Sequence, residues 1–414
     1  MSNHQTDDLT RALRARSEDM TGTHVAFEDV KGRARGIRRR RRAASGIAVA
    51  AVALAVAVPM GINLGGVDNG QRPLPADQPT TTTEPTGPVT PTPQGPVEID
   101  AAKAPRGEDP AILYATGTTL HRPDGPQVEL PKQYSYLLPY ADGVMGFYGP
   151  DGITDFIDGE GNLTDQGPYT GMSGAISSDG ERLATWVSAV GAGGAVDLAL
   201  WPRSGANPEN GYTSNVVAMR GDMQLAGFVG PETVAYNLTV STNQGATQTP
   251  YVTDWTSEPR ELTSLMDVRG ANDVTGVVSG LTTVDYGKNE YCFAVVKAVS
   301  DTVVWDTCDY RLGRFSPDGK YVLGVDPESD GLGGKGVTIL DAETGEVVAE
   351  FQTEDRAFMQ DAIWESRSTV LAPVMQDGAW FLVRMRPDGT VEKALDASRE
   401  GYDDSSPWRF QYTP

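Results

Sequence analysis

The sequence holds only two cysteines and three histidines in 414 residues. So few cysteines exclude a disulfide-stapled scaffold. One histidine, His121, lies beyond the amino-terminal segment, so no His-x-x-x-His pair exists for zinc, and no Gly-x-Ser-x-Gly elbow exists to place a serine nucleophile beside it. His121 therefore reads as a polar residue at a strand end, and neither a metal site nor a cofactor is expected. Basic residues are also scarce: 34 Lys+Arg face 56 Asp+Glu, and a formal charge of −22 repels the phosphates of nucleic acid. Beyond residue 98 no helical stripe is found. What is abundant is glycine, 47 residues, and proline, 28 residues, within a chain still 39% hydrophobic. That combination excludes general disorder and suits a turn-rich all-β domain with a Pro-rich linker.

The charge is unevenly spread. Residues 1–42 carry eleven Lys/Arg and six Asp/Glu, a net of +5 that leaves −27 for the rest. Arg38 to Arg42 run directly into AASGIAVAAVALAVAVPMGI, with no charged residue until Asp68. About 20 apolar residues match a hydrocarbon core of about 30 Å, so 43–62 reads as a single membrane-spanning helix. The arginines beside it stay cytoplasmic by the positive-inside rule, which puts residues 1–42 inside and the bulk of the chain outside the cytoplasm. A cleavable signal ending near Ala55-Val56-Ala57 is the competing reading. Residues 63–97 form the linker. From Asp68 to Pro96 it has eight prolines and seven threonines, too few apolar side chains for a core and enough proline for an extended stalk.

Residues 98–414 alternate short β-branched and aromatic runs with Gly, Asp and Pro. Two segments are close copies: AISSDGERLATWV from Ala175 and RFSPDGKYVLGVD from Arg314. In each, an apolar strand meets a Ser-x-Asp-Gly turn and an alternating strand leaves it. Fainter echoes mark Leu138, Phe228, Val277 and Ile363. With Ile176 and Phe315 these give intervals of 38 to 52 residues, the period of propeller blades of four short strands each. Residues 109–131 supply three strands without a first, whereas Trp408–Tyr412 is a strand without a blade. Joining them predicts a seven-bladed β-propeller closed by the carboxyl-terminal strand, with six or eight blades as the open alternatives.

FSPDGKYVLGV and ISSDGERLATWV resemble the repeats of TolB-like and WD40-like propellers. The Trp-Asp dipeptide of the WD40 repeat occurs only at Trp305-Asp306, which leaves the sequence nearer the TolB type. The order of Arg-rich segment, Ala/Val helix, Thr/Pro stalk and propeller is similar to membrane-anchored actinobacterial propeller proteins of unassigned activity. The resemblance implies a fold and a binding role, and carries over no catalytic residue.

Cys292 and Cys308 lie at equal distances from a turn near Ser300, so in a hairpin they face each other, and an outward-facing domain is oxidising. A disulfide in the fifth blade is expected; two buried thiols are the alternative. Asp158-Gly-Glu160-Gly-Asn162 lacks the downstream Glu of a calcium loop and reads as a turn, as does Asp341–Gly345.

If each Ser-x-Asp-Gly turn joins first to second strands, the loops from second to third strands share the opposite rim. The insertions Ser188–Val196, Val240–Pro250 and Asp326–Gly336, with the shorter Tyr286–Glu290, all belong there, as does the link around Tyr402. The candidate binding residues are Asn243, Gln244, Tyr286, Asn289, Asp326, Glu328, Asp330, Tyr402, Asp403 and Asp404. The expected function is a non-enzymatic binding module, membrane-anchored and outside the cytoplasm, for an envelope protein, peptide or glycan. Two rivals stand beside it: a carboxylate-dependent polysaccharide hydrolase or lyase, and a sensor passing an outside binding event to residues 1–42.

Overall fold

The structure is a computed structural model that describes residues 95–410 except 124, 141, 149–152, 168–169, 189–194, 203–212, 243–244, 255–256, 328–332 and 400–404. The expected membrane span, cytoplasmic segment and most of the linker lie outside the described residues. Within them every regular element is a β-strand, and the chain is an all-β propeller.

The strands form seven separate sheets. Sheet I joins Trp408–Phe410 to Tyr114–Thr116, Thr119–His121 and Val128–Glu129. Sheet II runs from Tyr136–Tyr140 to Leu163–Gly167, sheet III from Thr170–Ile176 to Thr213–Arg220, and sheet IV from Asp222–Gly230 to Arg260–Glu261. Sheet V runs from Gly270–Asn272 to Thr302–Thr307 and sheet VI from Arg311–Phe315 to Val347–Thr353. Sheet VII begins with the paired segments Phe358–Met359 and Ile363–Trp364 and ends at Val391–Lys393.

Why these strands cohere is visible in where their apolar faces go. Each sheet is two-sided and buries both faces against its neighbours. Leu137 and Val144 of sheet II meet Ala115 and Leu120 of sheet I, and Leu138 meets Ile176 and Leu183 of sheet III. Ala175 and Ala184 then pack on Phe228 and Tyr236 of sheet IV, whose Ala235 packs on Val278 and Ala294 of sheet V. Phe293 and Val295 meet Phe315 and Val322 of sheet VI, and Ile339 and Phe351 meet Trp364 and Phe381 of sheet VII. The last cluster returns to the start: Leu371, Trp380 and Leu382 of sheet VII enclose Tyr114 and Trp408 of sheet I. The first strands of successive sheets also touch one another from sheet I through to sheet VII, so they gather at the middle.

The carboxyl-terminal strand takes the missing first position of sheet I, with Tyr114 opposite Phe410, Ala115 opposite Arg409 and Thr116 opposite Trp408. This pairing removes a free sheet edge and ties the two ends of the domain together. The Ser-x-Asp-Gly turns form as their chemistry requires. Ser316 Oγ donates to Asp318 Oδ1 at 2.7 Å, Asp318 Oδ1 accepts the Lys320 amide at 3.2 Å, and Gly319 takes a φ of +71° that side chains resist. Asp179 and Gly180 repeat the arrangement between the first two strands of sheet III.

Three features depart from expectation. The echo at Val277 is one strand out of phase: Val277 opens the second strand of sheet V, and its first strand is the short Gly270–Asn272. Val240–Pro250 is no loop, since its residues pair across a hairpin in which Val240 lies opposite Thr247 and Thr242 opposite Gly245. Val97–Ile99 is a strand, and it adds in parallel to the outer edge of sheet VI, with Val97 opposite Phe351. Its continuation crosses to sheet VII, where the Ala101 amide donates to Gln376 Oε1 at 2.8 Å and Arg106 bridges to Lys393.

Cys292 and Cys308 form a disulfide between the third and fourth strands of sheet V, extending the register in which Phe293 faces Thr307.

Candidate functional site

On the rim that carries the loops between second and third strands lies a cavity of about 360 Å³. A second, of about 220 Å³, shares Gly333, Gln360 and Asp361 with it. First strands, or the residues just before them, furnish most of the polar lining: Arg269 from sheet V, Arg311 and Arg314 from sheet VI, Gln360 and Asp361 from sheet VII, and Arg409 from sheet I.

Local structure explains how these side chains reach one place. Along Arg311–Phe315 the register shifts between Leu312 and Phe315, so both apolar residues stay buried while Arg311 and Arg314 line the cavity three residues apart. The wall opposite is the end of the loop that follows Val325. There Gly334 and Met359 exchange backbone hydrogen bonds, each at 2.8 Å, which pins the loop to the first strand of sheet VII. At Gly333, with φ +137°, an added Cβ would sit 2.6 Å from the Met359 carbonyl oxygen, so the approach requires glycine.

The electrostatics are uneven. Arg269 is held by Asp267, Nη2 to Oδ2 at 2.8 Å, and its guanidinium lies 5.2 Å from the centre of the buried Phe293 ring. Burial first, and then the like charge of Arg269, lower the proton affinity of Arg311 below its ordinary value; Asp361, Asp326 and Asp267 act in the other direction. Burial does the same to Arg409. Among the described residues its hydrogen bonds go to the carbonyl oxygens of Ser406 and Trp408 and to Ser405 Oγ. Among the described residues, four guanidinium groups and one carboxylate, Asp361, line the two cavities.

Of the residues expected from sequence, Asn243, Gln244, Glu328, Asp330, Tyr402, Asp403 and Asp404 lie outside the described residues. Tyr286 is 85% exposed at the tip of the hairpin joining the second and third strands of sheet V, and Asn289 beside it has a φ of +52°. That turn is held by Asp285 Oδ1, which accepts the amides of Gly287 at 2.9 Å and Lys288 at 3.2 Å. Neither Tyr286 nor Asn289 lines the cavity. Asp326 is exposed and directly follows Val325, a lining residue, and its charge is felt by Arg311. The arginines were missed because they are scattered in sequence. What they share is a place on, or just before, the first strand of their sheets, and that signal needs the correct phase of every repeat.

His121, on the third strand of sheet I, stacks on Tyr114 with centroids 4.4 Å apart and an interplanar angle of 1°. Among the described residues no group of three or more His, Cys, Asp or Glu could hold a metal ion.

No family model and no curated protein sequence matches the chain. Among solved structures it is similar to a TolB from Agrobacterium tumefaciens at 14% identity and a TM-score of 0.36, covering 56% of this chain and 83% of that one. It is also similar to a lignostilbene dioxygenase from Pseudomonas brassicacearum, at 12% identity and a TM-score of 0.42, covering 61% and 69% of the two chains. The β-propeller domain of a trilobed protease from Pyrococcus furiosus aligns at 19% identity and a TM-score of 0.31, over 41% and 55%. These are distant likenesses of fold, and they assign no activity to this chain.

Proposed function

We propose that the chain is a binding module: a seven-bladed propeller, each sheet one blade, held outside the cytoplasm by a span at 43–62 and a Pro/Thr stalk. Its ligand is an envelope protein, peptide or glycan received at the rim cavity. The observation that carries this reading is the cavity itself, built where the first strands of sheets I, V, VI and VII converge on the rim with the longer loops. Scaffold turns on the other rim are short and close on their own side chains, as Ser316 and Asp318 do. The anchoring half of the reading rests on Arg38–Arg42 beside the uncharged run.

The hydrolase reading needs two carboxylates across a sugar. Among the described residues Asp361 is the one carboxylate on the cavity wall, so the lining favours binding over that chemistry.

The test is site-specific photocrosslinking in the full chain on intact cells, with the probe at Gln360 in the cavity or at Asp318 on the opposite rim. Adducts are expected from position 360 and not from 318. Equal yields from both positions, or none from 360, would reject the rim.

A further inference from the structure

Before it enters sheet I the chain detours along sheets VI and VII. Pro96 has no amide hydrogen to give to a strand, and pairing starts one residue later: Val97, Glu98 and Ile99 lie opposite Phe351, Gln352 and Thr353 at the outer edge of sheet VI. Ile99 and Ala101 are fully buried in the cluster that joins sheet VI to sheet VII. The fastenings then pass to sheet VII. Gln376 Oε1 accepts the Ala101 amide at 2.8 Å, and Gln376 Nε2 donates to Asp100 Oδ1 at 3.2 Å. The Lys393 amide donates to the Pro105 carbonyl at 2.7 Å, and its carbonyl accepts the Gly107 amide at 2.8 Å. Arg384 donates to the carbonyls of Glu108 and Asp109, and Glu365 accepts the Ala111 amide. Tyr114–Thr116 of sheet I comes only after all of these.

The direction of the first of these strands matters. The four strands of sheet VI alternate in direction, so the fourth runs from the rim of the Ser-x-Asp-Gly turns toward the cavity rim. Val97–Ile99 is parallel to it, and its amino end therefore points to the turn rim. A pull on that end, away from the cavity, slides the strand lengthwise along Val347–Thr353. Its hydrogen bonds are then loaded together instead of one after another, and Ile99 must leave an apolar site for the strand to move. The same part of the domain holds the larger cavity, whose lining residues other than Arg269 fall within 311–362, from the first strand of sheet VI to the threshold of that of sheet VII.

We propose that residues 97–111 are a load-bearing strap. This role rests on the reading that a membrane span and a stalk precede the domain. Tension between that anchor and a ligand at the rim passes through the strap directly into sheets VI and VII. The closure of sheet I, three residue pairs long, is spared until the strap has come away.

The experiment is optical-tweezers extension of the purified full-length protein in detergent, gripped through unnatural amino acids at Thr82 in the stalk and at the exposed Asp361 on the cavity wall. The wild type, Ile99→Asp, Gln376→Ala and Glu98→Gln, the last at an exposed position, are compared after circular dichroism has shown each to be folded. The wild type is expected to release about 50 Å of chain in one step, the length of the strap at ~3.4 Å per residue. The force of that step should fall in Ile99→Asp and in Gln376→Ala and stay unchanged in Glu98→Gln. A strap that comes away without measurable force, or a release force that neither substitution lowers, would overturn the role and leave the anchor standing. Recovery of the chain outside the membrane fraction of cells would remove the anchor and with it the role, whatever the forces. Should Ile99→Asp fail to fold, Gln376→Ala decides the matter.

Discussion

Two kinds of arginine sit in neighbouring parts of this propeller. Arg384, in the third strand of sheet VII, has a side chain 5% exposed, and Glu365, 4% exposed, grips it through two contacts of 2.6 and 2.7 Å. Glu392 takes Nη1 at 2.8 Å, and the carbonyls of Glu108 and Asp109 complete the set at 2.9 and 3.0 Å. These partners raise the Arg384 pKa and lower that of Glu392. The cluster fastens the strap that precedes sheet I onto sheet VII, because Glu365 also accepts the Ala111 amide at 2.8 Å. Arg409 lines the second cavity, and among the described residues its hydrogen bonds go to two carbonyl oxygens and a hydroxyl. One arginine is closed within a buried ion-pair network; the other lies on a cavity wall. A guanidinium is thus informative through its partners and not through its burial, since both kinds are withdrawn from solvent.

The contrast is most forcefully disrupted at Arg384. Arg384→Ala leaves Glu365 buried without its cation and is expected to destabilise the domain by about 3–5 kcal/mol in denaturant unfolding. Replacing Arg384, Glu365 and Glu392 together by apolar residues should recover most of that loss, since the whole network rather than one half of it is removed. The next effect separates adjacent residues of one strand. Trp408 is 6% exposed within the cluster joining sheets VII and I, so Trp408→Ala should cost about 3–5 kcal/mol by the same measurement. Arg409→Gln, one residue along on the cavity wall, should change stability by less than about 1 kcal/mol. A large loss of stability at Arg409 would erase the distinction.

A weaker effect is expected at His121. Burial lowers its pKa, and Asp109 offsets this only in part. The folded state thus resists the proton that the unfolded chain accepts near pH 6.5. Stability should hold above about pH 6.5 and decline as the pH falls below it, and His121→Phe, which keeps a ring for Tyr114 to stack on, should flatten that decline in thermal unfolding.

Sequence made the architecture legible because the turns carry their own chemistry. Ser-x-Asp-Gly declares where one strand ends and the next begins, and the unmatched strand at Trp408 declares where the chain must return. The facing cysteines were readable for the same reason, since a hairpin fixes cross-strand partners. Where no side chain announced the turn, phase was lost: Asn272 and Asp273 start the turn of sheet V, and reading Val277 in its place hid the strand beside Arg269. Val97–Ile99 was hidden because its partner lies more than 250 residues away, and three residues show no period. The cavity required both the phase of each repeat and the folding of four sheets around one point. The carboxylate-rich loops drew attention to the rim on which the cavity lies, but not to the arginines on its wall.

Arginine modification by phenylglyoxal in the native full-length protein, followed by peptide mass spectrometry, tests the two kinds of arginine side by side. Arg409, on the cavity wall, is expected to react, while Arg384 stays unmodified until the domain unfolds. Arg409 as inert as Arg384 would contradict a rim cavity open to a ligand.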